Sequence, residues 1–570
     1  MQEDVWRADK LLLLSGTTGA GVREAFNRIA SRLPAGACAF HYEDIVLEDR
    51  RLGGAVDIEQ VASLTVVARP TARRLFWEAV EKIRERARRR GCRKLVVAAH
   101  ISYLARRTLI TNPALGSLLD LAREVTIVYL LEDYYDILDT VARRYARTRR
   151  VRKSIVLDPI LVLQWRGADF NLLAAIESFK PGTETLILGV KHPVETLDRL
   201  ARDALQTRRE ALEHGSYTRA YVSHPISEYR RLYALYGGRS LSSLPFVAAV
   251  EAAKRVLLEE NPSLILFEPT TVDELLEDSI GRLMEVLGSV KLPKELEPLE
   301  LKVKQQSVGD TRDSSGGRPN GDNQDTPKPR AVYHSLFVDP ANRWPLPPQT
   351  IREAEGHRYR HREGRLNILE DRLLLVYHVG DPNTAAAMVF DLLANNPPPG
   401  PGEDTLKGML QAQIIDYARH QIEMRDYYYV AQSHMIIALN TPTIIVEDGE
   451  YKAYLPTSTG MEAEIHRARA LARPVTYILL PVSWEAVERS LADSEGAFNH
   501  VISRWRPCGK ANDPEKAVDK CTIKIAEGSI LGAVGPDVRP ITVAYTVTPE
   551  ATLETLLEAY RERLAPILGK

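Results

Sequence analysis

The sequence predicts an α/β protein that contains more than one parallel sheet. A chain of 570 residues is too long to fold around a single core, so we expect two or three domains. Short apolar runs alternate with amphipathic helical patterns, and this alternation is typical of parallel strands that are joined by helices and buried on both faces. We predict α/β domains over residues 1–212 and 217–482, and a C-terminal α/β extension over residues 483–570.

Four apolar runs predict the strands of the first domain. The first run, KLLLLSG, begins at Lys10 and leads into a helix from Val22. Its four leucines are too few to span a membrane or to act as an export signal, so we interpret them as a buried strand. The other three runs are KLVVAAH from Lys94, VTIVYLLED from Val125 and TLILGVKHP from Thr185.

A second series of runs predicts the strands RAYVSHPIS, SLILFEP and MIIALN, with the helix FVAAVEAAKRVLLEE between the first two and a long helix that ends near Gln432. Residues 293–335 are too polar to bury a core, so we expect a disordered insert there, before the chain resumes with the apolar run DRLLLVYHVG. After Ser483 we expect a helix, a loop from Cys508 to Cys521, the strand PITVAYTV and the closing helix TLETLLEAYRERL.

Charge and cysteine content restrict the function classes. The formal net charge of -1 argues against a strongly basic nucleic-acid surface or a polybasic membrane surface. None of the four cysteines has a C-x-x-C spacing, so the sequence suggests neither a disulfide framework nor a zinc ribbon. A reducing cytoplasm fits this composition best.

The segment Ser15–Phe26, SGTTGAGVREAF, lies between a predicted strand and a predicted helix. Its G-x-x-x-x-G spacing resembles the phosphate-binding P-loop of nucleoside and nucleotide kinases, whose amides surround phosphate at a helix N-terminus. The resemblance implies ATP or another nucleotide as the ligand. Val22 and Arg23 replace the lysine and the magnesium-binding hydroxyl, which argues against phosphoryl transfer. The residues expected at the nucleotide are Gly16, Thr17, Thr18, Gly19, Gly21 and Arg23.

The second half resembles the nucleoside 2-deoxyribosyltransferase family, including its relatives that hydrolyse 2'-deoxynucleoside 5'-monophosphates. The resemblance is carried by AYVSHPI, by the R-D pair in QIEMRDYYYV, by the strand MIIALN, and by STGMEAEIHRA followed by PVTYILLP. It implies a doubly wound, flavodoxin- or Rossmann-like domain after the P-loop-like domain. It also implies a pocket that a neighbouring subunit completes, so we expect a homo-oligomer.

Mapped by motif, the resemblance makes Glu464 the nucleophile and Asp426 its catalytic partner. A carboxylate beneath the anomeric carbon can trap an oxocarbenium-like sugar as an ester. Asp426 would orient Glu464 or protonate the leaving base. We expect the amides at the start of the helix to keep Glu464 ionised. The expected substrate contacts are Tyr221, Ser223, Pro225, Arg230, Ser458 and Gly460.

The leading hypothesis is a cytoplasmic enzyme that cleaves or exchanges the N-glycosidic bond of a nucleoside, nucleotide or related ribosyl compound. This chemistry requires no metal or cofactor. One alternative is a nucleotide-sensing protein without catalysis, and another is a P-loop nucleotide kinase with a regulatory second domain. The expected partner is a small molecule, with no membrane and no strong case for nucleic acid.

Overall fold

A computed structural model describes most of the chain outside one long central range. The described residues are 6–49, 52, 58–67, 69–105, 108–133, 136–137, 159–226, 228, 244–271, 421–456, 458–491, 502, 505–527, 539–543 and 545–568. Within these ranges no helix combines the length and apolar character needed to cross a bilayer. The predicted insert over residues 293–335, the run DRLLLVYHVG and Arg230 lie outside the described residues.

The chain divides into two compact units. Among the described residues, the first unit takes in those up to Thr185 together with Gly189–Lys191 and residues 421–422. The second comprises Leu186–Leu188, His192–Thr271 and Glu423–Lys570. The sequence predicts that the first domain ends at residue 212, that the second begins at residue 217, and that a C-terminal extension begins at residue 483. These boundaries stay predictions.

A five-stranded sheet forms the core of the first unit, in the order β2-β3-β1-β6-β7. The pairings of β1 with β3, β1 with β6 and β2 with β3 are parallel. Leu11 to Leu14, in the central strand, are fully buried, as expected for a strand covered on both faces. The strands in this part of the chain are β1 Ala8–Gly16, β2 Ala37–His41, β3 Lys94–Ala98, β4 Ser102–Ala105, β5 Thr108–Thr111, β6 Ala122–Leu131 and β7 Thr183–Gly189.

Helices follow the strands along the first part of the chain. Strand β1 leads into α1 Val22–Ala30, as the sequence predicts. The next helices are α2 Tyr42–Leu47, α3 Ile58–Val67, α4 Arg69–Arg89, α5 Leu115–Leu119, α6 Pro159–Phe179, α7 Val194–Leu205 and α8 Arg208–His214.

The second unit has its own five-stranded parallel sheet, in the order β16-β13-β10-β8-β9. The runs RAYVSH, SLILF, MIIALN and VTYIL supply its four most buried strands. Because β9 pairs with β8, SLILFEP is the strand beside the first one in this unit. The strands are β8 Thr218–Ser223, β9 Leu264–Phe267, β10 Met435–Asn440, β13 Val475–Leu479 and β16 Arg539–Thr542.

Residues after Ser483 are built into the second unit. Strand β16 extends its main sheet, and the closing helix buries Leu556, Tyr560 and Leu564 in the core that contains helix Pro245–Glu260. Besides α7 and α8, the helices of this unit are α9 Pro245–Glu260, α10 Thr459–Ala470, α11 Trp484–Ser490, α12 Pro514–Ala526 and α13 Leu553–Leu564, and residues 423–432 are also helical.

A smaller sheet accompanies the main sheet of the second unit, in the order β14-β11-β12-β15. Asp448 and Gly449 form the two-residue turn between β11 and β12, and both have positive φ angles, of 55° and 77°. The predicted loop from Cys508 to Cys521 is wrong, because Cys508 lies in β15 and Cys521 in α12. The strands are β11 Thr443–Glu447, β12 Glu450–Leu455, β14 Val482–Ser483 and β15 Arg506–Ala511.

The structure also corrects the expectation that no disulfide forms. Cys38 is bonded to Cys92, and Cys508 to Cys521, with Cα–Cα distances of 5.9 Å and 4.7 Å. The first pair is brought together by the pairing of β2 with β3, although 54 residues separate the two cysteines in sequence. A rule based on short spacings such as C-x-x-C does not detect two cysteines that are this far apart in sequence. The disulfides weaken the argument from cysteine content for a reducing compartment.

Candidate active site

Glu464 lies on the buried face of helix α10. Ser458 caps this helix, because its side-chain oxygen accepts a hydrogen bond from the amide of Met461. Met461, Ile465 and Ala468 lie at helical spacing and are buried, and Glu464 falls within the same stripe. The glutamate is only 8% exposed, so its carboxylate must find partners inside the protein.

Two hydroxyl groups of strand β8 bind the Glu464 carboxylate. The Tyr221 hydroxyl donates to Oε1 at 2.9 Å, and the Ser223 hydroxyl donates to Oε2. Residues two apart on a strand point to the same face, which explains why this pair of side chains reaches one carboxylate. Both residues are fully buried. The structure therefore brings together three residues that the sequence assigns to one site.

Asp426 lies on the helix of residues 421–432 and carries the second carboxylate of the site. Arg425 donates to Oδ1 of Asp426 from Nε at 2.9 Å and from Nη2 at 2.8 Å. The charge of Asp426 acts on Glu464 strongly enough to change its pKa. An aspartate that is ion-paired in this way suits the predicted orienting role better than the role of proton donor.

The environment of Glu464 favours its protonated form. Burial is the largest cause and the charge of Asp426 the second, and together they raise the pKa of Glu464 to about 8. Hydrogen bonds from Ser223 and Tyr221 and the charge of Arg425 act in the opposite direction without overcoming them. The expectation that helix-start amides keep Glu464 ionised is therefore wrong. Glu464 is the sixth residue of α10, beyond the first turn where those amides lie.

The other predicted contacts lie around the same helix start and strand end. Pro225 is buried two residues beyond the end of β8. Gly460 is exposed, and an added Cβ there would meet nothing nearer than the Ser458 hydroxyl at 3.7 Å. The protein therefore leaves space beside this turn.

Asn440 is a polar residue of this region that the sequence reasoning did not single out. It ends strand β10 and is fully buried, and its amide nitrogen donates to the Pro456 carbonyl at 3.0 Å and to the Tyr477 hydroxyl at 2.8 Å. The first bond holds the segment that leads into Ser458 against the sheet. A polar residue at the end of an otherwise apolar strand is the sequence feature that could have identified Asn440 as part of the site.

The P-loop-like segment of the first unit has the predicted strand–turn–helix geometry. Gly16 approaches strand β6 so closely that an added Cβ would lie 2.8 Å from the Leu130 carbonyl oxygen. Gly21 precedes α1 in the left-handed region with φ of 67°, which only glycine adopts without strain. Gly19, between them, also has a positive φ angle, of 96°. These backbone features account for the three glycines.

Some polar side chains of this segment are hydrogen-bonded within the protein and one is not, among the residues that the structure describes. The Thr18 hydroxyl donates to Glu59 at 2.8 Å, and Arg23 pairs with Asp44, with one bond of 2.9 Å. Among the residues that the structure describes, the Thr17 hydroxyl has no hydrogen-bond partner, although Thr17 is only 1% exposed. Arg23 is thus bound to a carboxylate, whereas the described part of the chain leaves the Thr17 hydroxyl without a bond.

A partly buried histidine, His100, follows the end of strand β3 in the first unit and pairs with the buried Glu43. Both the amide and Nδ1 of His100 contact Oε1 of Glu43, at 2.7 Å and 3.1 Å. Burial lowers the pKa of His100, but the hydrogen bond and the charge of Glu43 outweigh it, so the pKa is raised overall. The same contacts lower the pKa of Glu43 despite its burial. The pair therefore favours the ionised forms of both groups.

No protein-family model matches this chain, and a search of the curated proteins finds no match either. The resemblance to nucleoside 2-deoxyribosyltransferases therefore rests on the motifs of this sequence.

The raised pKa of Glu464 predicts a pH-dependent stability. The folded state binds this proton more tightly than the unfolded state, so stability should fall as pH rises from the ordinary value of 4.5 to about 8. Glu464→Gln removes the cost of ionisation. Thermal unfolding at about pH 5 and about pH 9 should show the variant gaining about 2 °C or more over wild type at the higher pH. An equal difference at both pH values would contradict a raised pKa of Glu464.

Proposed function

We propose that the second unit cleaves or exchanges the N-glycosidic bond of a nucleoside, nucleotide or related ribosyl compound, with Glu464 as nucleophile. The observation that carries the proposal is the pairing of a buried glutamate with Tyr221 and Ser223 at the end of the first strand of the sheet. A buried carboxylate held from two sides suits attack at an anomeric carbon, because its position is fixed.

The strand order supports a doubly wound fold for this unit. Counted along the unit from β8, the sheet order is 2-1-3-4-5, which is the flavodoxin-like order. In such sheets ligands bind at the carboxyl ends of the strands, where the order reverses. Here that position lies between β8 and β10, at Ser223 and Asn440. The pocket that we propose would therefore lie at the carboxyl ends of β8 and β10, where ligands bind in sheets of this order.

The proposed reaction begins with attack by the Glu464 carboxylate on the anomeric carbon. The bond from the sugar to the base breaks, the base leaves with the bonding electron pair and takes up a proton from solvent water, and the sugar is held as an ester of Glu464. Water, or the nitrogen of a second base, then attacks the same carbon, gives up a proton to solvent and releases Glu464 as the carboxylate. Asp426 would orient the attacking carboxylate.

The proposal is tested by incubating the purified chain with nucleosides, nucleoside monophosphates and NAD, and by measuring free base chromatographically. Release from at least one compound is expected. If no compound loses its base, the proposal fails and a nucleotide sensor becomes the better account. Turnover of ATP that depends on the Gly16–Gly21 segment would instead support a kinase.

We propose as a second function that the first unit binds a nucleotide through its P-loop-like segment without transferring phosphate. The unpartnered Thr17 hydroxyl favours this function, because a buried hydroxyl without a partner costs about 1–3 kcal/mol. A phosphate oxygen would satisfy it. The missing lysine at Val22 argues against phosphoryl transfer.

Thr17→Val tests this binding role. The substitution removes the hydroxyl at nearly constant volume, so the free protein should unfold at a higher temperature. Its affinity for ATP, measured by titration calorimetry, should fall about fivefold to tenfold. Val22→Ala, which leaves every hydroxyl in place, serves as the matched control. Equal ATP affinity of wild type and Thr17→Val would exclude a contact between Thr17 and the phosphate.

A further inference from the structure

We propose that Arg425 is the positioning residue of the candidate site, holding Asp426 in place and offsetting the negative charge that Asp426 and Glu464 bring together. The catalytic consequence of this role rests on the proposed function, but the role itself is a property of the protein without substrate.

The first support is the geometry of the ion pair. Two nitrogens of the guanidinium, Nε and Nη2, bind the same oxygen of Asp426, at 2.9 Å and 2.8 Å. The Arg425 side chain is 4% exposed and that of Asp426 is 13% exposed. Two bonds from one rigid plane hold Oδ1 of Asp426 at a fixed place on the guanidinium edge, and a lysine ammonium offers no such planar pair of donors.

The second support is the packing of Arg425 against Tyr429, whose ring lies beside the tyrosine of strand β8. Arg425 and Tyr429 are four residues apart on one face of their helix, and the guanidinium carbon lies 5.9 Å from the Tyr429 ring centre. The Tyr429 ring stacks on Phe267 and lies 6.0 Å from the Tyr221 ring. Tyr221 binds Glu464, so Tyr429 and Tyr221 connect the guanidinium to the side chain whose charge it offsets.

The third support is the donor that Arg425 leaves unused. Nη1 is buried and has no hydrogen-bond partner in the described parts of the chain. A guanidinium with a purely structural task is expected to satisfy its buried donors, because each one left unpaired costs free energy. Two buried carboxylates need a nearby positive charge whether or not every donor is paired.

The groups that set the charge of Glu464 come from several elements. The negative charge of Asp426 raises the pKa of Glu464, whereas the positive charge of Arg425 lowers it. Strand β8 contributes the hydroxyls of Tyr221 and Ser223 and ends beside His224. Strands β10 and β13, which also pack on α10, contribute Asn440 and Tyr477, and burial raises the pKa of Tyr477 so that it stays neutral. Among these groups, Arg425 is the cation that acts on Glu464.

Infrared difference spectroscopy on the full chain without substrate tests the role. The carbonyl band of protonated Glu464 is isolated by subtracting the spectrum of Glu464→Gln, and its loss is followed as pH rises. In wild type the midpoint should lie at about 8. In Arg425→Gln it should move up by about one pH unit or more, and in Arg425→Lys, which keeps the charge, by less than about half a unit. A midpoint in Arg425→Gln that equals or falls below the wild-type value would overturn the proposal.

A second comparison decides the matter if Arg425→Gln alone does not fold. Asp426→Asn should lower the midpoint, because it removes a neighbouring negative charge. Adding Arg425→Gln to Asp426→Asn removes the cation without leaving an unpaired carboxylate, and should raise the midpoint again. No rise between these two variants would refute the role of Arg425. Base release bears on the proposed reaction alone, so the two proposals fail separately.

Discussion

Replacing Glu464 with glutamine should lower the rate of base release at least about 10³-fold. An amide of the same size keeps a partner for one of the two hydroxyl donors, Tyr221 and Ser223, but it cannot attack the anomeric carbon. Steady-state release of free base, measured for wild type and Glu464→Gln on the same substrate, gives the ratio. Unchanged circular dichroism should show that the variant is folded.

Glu462 provides the matched control on the same helix. Its side chain is 27% exposed and lies 3.6 Å from Arg506, away from the buried face that carries Glu464. Glu462→Gln should change base release by less than about threefold, because a partly exposed ion pair contributes little. Equal losses in the two variants would indicate that either change disturbs α10. Base release that persists in Glu464→Gln would exclude Glu464 as nucleophile.

The kcat/KM for base release should rise with pH and level off near pH 8. The attacking form of Glu464 is the carboxylate, and its pKa in the free protein is raised to about 8 by burial and by Asp426. Below that pH the ionised fraction, and with it kcat/KM, should increase about tenfold per pH unit. Initial rates at low substrate concentration between about pH 5 and pH 9 give this profile.

Asp426→Asn tests the electrostatic origin of the profile. Removing the second carboxylate takes away the largest charge effect that opposes ionisation of Glu464, so the rising limb should move to lower pH. The maximal rate should fall as well, because Glu464 loses its orienting partner. A rate that is constant between about pH 5 and pH 9 in wild type would show that Glu464 is already ionised in the free protein.

The sequence predicts the central strands well because they are buried on both faces. Runs such as LLLL in β1 and MIIALN in β10 contain little else than apolar residues, so their type follows from composition alone. The hairpin of β11 and β12 is not among the predicted elements, although its Asp448-Gly449 turn is a strong hairpin signal. The two disulfides do not follow from cysteine spacing, because sheet and helix packing brings the cysteines together.

The sequence predicts which residues form the candidate site better than it predicts their charge state. Tyr221, Ser223 and Glu464 were assigned from motifs, and the structure places them in contact. The charge state of Glu464 was wrong, because it depends on how deeply the carboxylate is buried and how near Asp426 lies, and neither is visible in sequence. The sequence shows Arg425 only as half of an R-D pair, and its burial beside Tyr429 depends on the helix that places both residues on one face.

The most direct test of the nucleophile is a search for the sugar on the protein. Wild type that is turning over its substrate is stopped with acid, digested with a protease and analysed by mass spectrometry. The peptide that contains Glu464 should gain the mass of the sugar, or of the sugar phosphate, on that side chain. Release of base with the sugar on a different residue, or with the Glu464 peptide unmodified at every time of quenching, would contradict a covalent reaction at Glu464.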